Sequence, residues 1–368
     1  MASWSWNPAQ WFFQSGVYPY QALNTTDNEI RLLKLDLSST TGALRCSLEH
    51  HSLNIPPKYV ALSYMWGERN DTRFINVGGT NIKVSANLDS ALHQLCFHQK
   101  RYVWADALCI NQCDIEERNN QVRRMRAIYV RAAEVAVFLG DADDDMAETM
   151  AVMRRLTLLS TQEQLTTEAR LNPFEAVGRH RTSFRSALKT FLENPYWRRV
   201  WILQEVAVNR HVIIYCGRYV SEWNHMVHML SASQRDNILC DLDYDCLSRL
   251  LSLREDFQKD INISLVRAIR DSQSSVATLP QDEVYGLLGI TSDGDKFVST
   301  PDYQQTLDTI YVNMTASWIQ TQGSLDIICL QPLRRREPNI LPSWCPGELL
   351  RTRGCFKGGI FSMVRLIE

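Results

Sequence analysis

Three short apolar stretches decide the fold: residues 59–64 (YVALSY), 101–105 (RYVWA) and 135–139 (VAVFL). Each is too short for a stable helix, and each reads as a buried strand. Ser85 or Asn87 can cap a helix between the first two, with Leu88, Leu92 and Leu95 along one face. Residues 114–133 lie between the second and third. They are polar, with Val122, Met125, Ile128 and Tyr129 at helical spacing. The order strand, helix, strand, helix, strand predicts parallel strands joined by crossover helices.

On the N-terminal side, residues 30–37 and 44–48 read as two strands turned by Thr41-Gly42. Pro56-Pro57 breaks the pattern before YVALSY. Residues 73–77 and 81–84 flank Gly78-Gly79, which predicts a hairpin. On the C-terminal side, residues 141–145 form an acidic turn, and 146–170 and 184–192 read as helices. Asn194-Pro195 then punctuates the chain, 198–208 reads as a helix and 211–216 as a strand. Beyond about residue 220 the pattern is mainly helical, with a last β segment near 359–367. The expected organisation is an N-terminal arm with accessory strands (1–58), a central α/β domain (59–220) and a helical C-terminal region (221–368).

Composition narrows the function classes. With 45% hydrophobic and 22% charged residues, the 368-residue chain has enough apolar material for a folded core. A net charge of -2 leaves no electrostatic footprint for nucleic acid. Arg334 to Arg336 read as a solvated loop. The ten cysteines show no paired metal spacing, so buried thiols in a reducing, cytoplasmic setting are expected. No run of about 18 apolar residues suggests a membrane span. The start of the chain lacks a signal peptide's basic and aliphatic parts. It carries Trp4, Trp6, Trp11, Phe12 and Phe13, an aromatic arm expected to pack on the domain, the alternative being a partner or membrane-surface contact.

Polar groups gather where strands meet helices, and parallel sheets bind ligands at the carboxyl ends of their strands. After the first strand come Ser63, Trp66, Gly67 and Arg69. Gly67 permits a sharp turn, Trp66 offers a flat face and Arg69 can pair with a phosphate. Past the second strand come Asp106 and Asn111, which suit either a ligand hydroxyl or the local turn. In the 198–208 helix, Trp201 and Glu205 are four apart and share a face. Ile202, Leu203 and Val206 mark that helix as buried, and a buried carboxylate must be paired, hydrogen-bonded or functional. Arg198 or Arg199 would be its structural partner.

Together these segments resemble the fungal heterokaryon-incompatibility (HET) domain. The resemblance rests on YVALSYMWGE, on VWADALCINQCDIEERNNQVRRMRAIYVRAAEVAVFLG and on NPYWRRVWILQEVAV. IRLLKLD, DEVYGLLGI (282–290), PDY (301–303) and LPSWCPG (341–347) extend it over most of the chain. It implies a role in nonself recognition and programmed cell death, an incompatibility partner protein and self-association on activation. A more distant similarity links YVALSYMWGERNDTRF and Trp201 to Val206 with Toll/interleukin-1 receptor (TIR) domains and their WCxxEL pattern. Ile202 stands for the Cys, Val206 for the Leu, and a long insertion over about 141–194 precedes the pattern.

The TIR similarity implies a flavodoxin-like parallel core with added strands. Enzymatic TIR domains cleave NAD with the pattern's glutamate, a role that falls here on Glu205. NAD enters as substrate, and no cofactor or metal is implied. Trp66 or Trp201 would stack on a ring, Ser63, Asp106 and Asn111 would hold hydroxyls, and Arg69 a phosphate. The rival expectations are a non-enzymatic signalling module and a regulator that binds nucleotides without turnover. A hydrolase built on Cys109 is weaker, because no histidine has a motif relation to it.

Overall fold

The computed structural model describes residues 18–37, 44–67, 70–160, 181–298 and 300–330, together with Cys345. The aromatic arm, Arg69, the Arg334 to Arg336 cluster, most of LPSWCPG and the expected last β segment lie outside the described residues. Nine strands among the described residues form one mixed sheet. They are β1 (Glu29–Leu35), β2 (Arg45–Ser52), β3 (Val60–Tyr64), β4 (Thr72–Val77), β5 (Thr80–Ser85), β6 (Tyr102–Trp104), β7 (Glu134–Phe138), β8 (Val212–Cys216) and β9 (Tyr219–Glu222). Their spatial order is β5-β4-β2-β1-β6-β3-β7-β8-β9.

The four central strands β6, β3, β7 and β8 are mutually parallel. Every residue of β3 is buried, which explains why YVALSY is continuously apolar rather than alternating. Within this run the chain order of the strands is 2-1-3-4, so the chain leaves its first strand in one direction and later returns to the other side of it. The flanks are mixed. β1 pairs antiparallel with both β2 and β6, β2 is parallel to β4, and the outer hairpins β4–β5 and β8–β9 are antiparallel. The Gly78-Gly79 hairpin forms as expected, with positive φ at both glycines.

The helices among the described residues are α1 (Ala86–Phe97), α2 (Asp106–Cys109), α3 (Ile115–Arg131), α4 (Asp144–Ser160), α5 (Arg181–Leu192), α6 (Ile202–Ala207), α7 (Trp223–Arg235), α8 (Asp245–Gln258), α9 (Leu265–Asp271), α10 (Asp282–Leu288), α11 (Gly294–Phe297) and α12 (Leu307–Gln322). Ser85 caps α1 through Leu88 N, while Asn87 turns away and donates to Met65 O. Asp114 caps α3 through Glu117 N.

The helix expected over 198–208 is corrected to three pieces. Pro195–Arg198 is a 3-10 turn, Arg199 is extended, and only α6 is α-helical. Arg199 forms an isolated parallel bridge with Val276, a remote segment that pulls the backbone out of helical geometry. Trp201 becomes the N-cap of α6, and Glu205 N still bonds to Trp201 O at 3.1 Å.

A six-residue helix has almost no stability of its own, so packing must hold α6. It lies against β3 and β7 on one side and against α3, α8 and α10 on others. Arg254 of α8, 8% exposed, donates to Val206 O, Asn209 O and Arg210 O, and Gln258 Nε2 donates to Ala207 O at 2.8 Å. These bonds satisfy the carbonyls that the end of α6 leaves open. Arg254→Met should therefore cost about 3 kcal/mol in urea unfolding, with Arg254→Lys recovering part of the loss. An unchanged midpoint in Arg254→Met would show that α6 does not depend on this cap.

Candidate functional site

Ser63 sits near the carboxyl end of β3 and is 1% exposed. Its Oγ donates to Glu205 Oε2, and Tyr196 OH lies 2.6 Å from the same Oγ. Because the serine proton goes to the carboxylate, the tyrosine must be the donor to Ser63. Asn194 fixes Tyr196 by capping the 3-10 turn, and its side-chain amide donates to Leu139 O. Thus β3, the end of β7 and the insertion's exit all meet at Glu205.

Glu205 is 2% exposed, and Arg199 Nη1 lies 3.5 Å from its Oε2. That distance makes an ion pair rather than a strong hydrogen bond. Of the two expected partners, Arg199 takes this role, while Arg198 pairs at the surface with Asp243 at 2.9 Å. Asp106, just past β6, is partly buried and completes the cluster. It accepts from Trp66 Nε1 at 2.9 Å, from Ala107 N at 2.8 Å and from Tyr64.

The cluster therefore holds two carboxylates around one guanidinium. Burial pushes the Glu205 pKa up, Arg199 and Ser63 pull it back, and the balance stays above the ordinary value. Burial likewise raises Asp106 against the pull of Arg199 and Trp66. For Arg199, burial lowers the pKa, but Glu205, Tyr196 and Asp106 outweigh it. Both carboxylates of the cluster are thus shifted toward their protonated form, and Arg199 toward its charged form.

Outward of Asp106 lies a narrow cleft of about 70 Å³. Trp66 and Asp106 line one part of it, and Trp201, Asp282 and Tyr303 line another. Tyr303 OH donates to Asp282 Oδ1 at 2.7 Å, and Trp201 also hydrogen bonds this carboxylate. Arg118 stands over the Tyr303 ring, 4.3 Å from its centre. The cleft thus contains two indoles, each tied to its own aspartate. Glu205 lies beneath, outside the lining.

Of the residues singled out in the sequence, Ser63, Trp66, Asp106, Trp201 and Glu205 fall in this cluster or its cleft. Gly67 shapes the turn after β3 with φ of 82°. Asn111 does not join them. Its Oδ1 accepts from Cys113 N at 3.3 Å, and its own N–H goes to Glu117 Oε1 at 2.6 Å, so it builds the turn before α3. Arg69 lies outside the described residues. Cys109 is 1% exposed and burial pushes its thiol up to about 12, which fits a packed core thiol. Tyr64, Arg118, Tyr196, Asp282 and Tyr303 had no assigned chemistry in the sequence. DEVYGLLGI and PDY, where Asp282 and Tyr303 stand, were the available signal.

Residues 59–205 of this α/β chain match the family described as Heterokaryon incompatibility protein (HET). The match opens on YVALSY and closes on Glu205. The chain is also 27% identical to Heterokaryon incompatibility protein 6, OR allele, of Neurospora crassa, over 415 aligned positions covering 91% of this chain. It spans 60% of the length of that relative. No solved structure matches the chain.

The cleft generates a pH prediction. Burial raises Asp282 from 3.8 to about 6, against hydrogen bonds from Tyr303 and Trp201. A raised carboxyl is stabilising while protonated, fully so below its unfolded pKa, and that contribution is lost as pH rises through the folded value. Asp282→Asn removes this dependence. The stability of wild type relative to Asp282→Asn should fall by about 2 kcal/mol between pH 4 and pH 7. A flat difference across that range would mean that Asp282 titrates normally.

Proposed function

We propose that this chain acts in fungal nonself recognition, as an effector of programmed cell death, and that Glu205 cleaves the nicotinamide–ribose bond of NAD. The observation that carries this reading is the placement of Glu205. It is a buried carboxylate beside the carboxyl ends of parallel strands, hydrogen-bonded to Ser63 and ion-paired with Arg199. The 2-1-3-4 order of the parallel run is the flavodoxin-like order up to its fourth strand, which supports a TIR-like core. The match to the HET family and the name of the Neurospora relative support the biological role.

The chemistry asks little of the protein in acid catalysis, because nicotinamide leaves as a neutral group. The bond from ribose C1′ to nicotinamide breaks, and positive charge builds on the ribose. Glu205 stabilises that charge, as a carboxylate does in glycoside hydrolysis. Water then adds its oxygen to C1′ and releases a proton, which the carboxylate pair accepts. Ser63 and Asp106 hold ribose hydroxyls, the Trp66 and Trp201 indoles take the flat ring, and Arg69 takes a phosphate.

A 70 Å³ cleft is below the size of ordinary small-molecule sites. The site must therefore open, with Trp201, Asp282 and Tyr303 moving apart. Self-association, or an incompatibility partner, supplies that opening and keeps a toxic activity gated. The Arg199–Glu205 ion pair favours a second reading, a signalling module in which Glu205 only orders the core and the surface above binds a partner or nucleotide.

NAD turnover by the purified chain, at dilute and crowded concentrations, separates the two. Glu205→Gln should lower nicotinamide release by at least about 100-fold while circular dichroism stays unchanged. Equal release by both proteins would move the chemistry to another residue. No release from folded, concentrated wild type, with and without the incompatibility partner present, would leave the signalling module as the function.

A further inference from the structure

A second cavity, of about 720 Å³, opens beside α6, between α3 and the segment from Tyr285 to Pro301. That volume lies within the usual range for small-molecule sites. It shares Val122 with the narrow cleft but contains none of Ser63, Asp106, Arg199 or Glu205.

Its polar groups are unusual in two ways. Arg123 and Arg126, both exposed on α3, line the cavity with Asp295, the one carboxylate among its described lining residues, which leaves that lining cationic. Arg126 is also poised over the Phe257 ring, 5.5 Å from its centre. The second feature is Gln204, which lines the cavity and is 2% exposed. Gln204 Oε1 accepts from Gly289 N at 3.1 Å, and that donor fixes which end of the amide faces it. The other end, Nε2, is buried with no hydrogen-bond partner among the described residues. Buried amide donors in folded proteins are nearly always satisfied. A Cβ on Gly289 would come 2.1 Å from Gln204 Oε1, so the glycine is what lets the amide sit here.

We propose that this cavity is a second ligand site, for a small phosphomonoester carried on a flat or apolar body, such as a nucleoside monophosphate. Arg123 and Arg126 hold the phosphate, as paired guanidiniums do. Gln204 Nε2 donates to an acceptor on the body, and Val122, Leu288 and Val298 cover its apolar face. The assignment is independent of the chemistry at Glu205.

The test is calorimetric titration of the full chain with adenosine monophosphate, adenosine and inorganic phosphate as probes. The Arg123→Glu/Arg126→Glu double variant serves as comparison. Both arginines are exposed, so the variant should fold, and its melting curve checks this. Adenosine monophosphate should bind wild type more tightly than either fragment, and the double variant should weaken it by at least about tenfold. No binding to wild type at roughly millimolar probe would overturn the site. So would equal affinity in the variant, or inorganic phosphate binding as tightly as the nucleotide, which would mean an adventitious ion only.

Discussion

A carboxylate with 2% exposure must be compensated or it will not stay where it is, and Glu205 is compensated by two direct partners, one of them held in turn by a third residue. Ser63 comes from the middle of the sheet, Arg199 from an extended break in the chain, and Tyr196 supports Ser63 from the turn before it. Each donor depends on a different part of the fold. The parallel core sets Ser63, the bridge to Val276 sets Arg199, and the long excursion between β7 and β8 delivers Tyr196. The architecture around Glu205 is therefore a requirement of its burial.

The same logic explains why the C-terminal helices belong to the site. A helix of six residues has too few internal hydrogen bonds to define its own position. Arg254 and Gln258 close its last carbonyls, and Gly289 meets Gln204 on its flank. Asp282 and Tyr303 supply one wall of the cleft. The chain beyond residue 220 thus both fixes the carboxylate and covers the approach to it.

Much of this was readable from local pattern. The three apolar stretches became adjacent parallel strands, the double glycine became a hairpin, and Ser85 became a cap. These features are set by neighbours within a few residues, which is the range over which periodicity and turn chemistry speak. The break at Arg199 was not readable, because its cause is Val276, far along the chain. Asn111 carried the same polar signature as Asp106, yet its side chain was used by the local turn. Asp282 and Tyr303 stood in noticed motifs, but only tertiary packing shows that they face Trp66 and Asp106 across a cleft.

Gln204 and Glu205 are consecutive residues of one short helix, yet one lines the wide cavity and the other lies under the narrow one. A rigid turn of helix cannot move one of them alone. A few degrees of rotation that drew the amide toward the wide cavity would swing the carboxylate against Ser63 and Arg199. Any coupling that α6 carried between the two compartments would act equally in both directions.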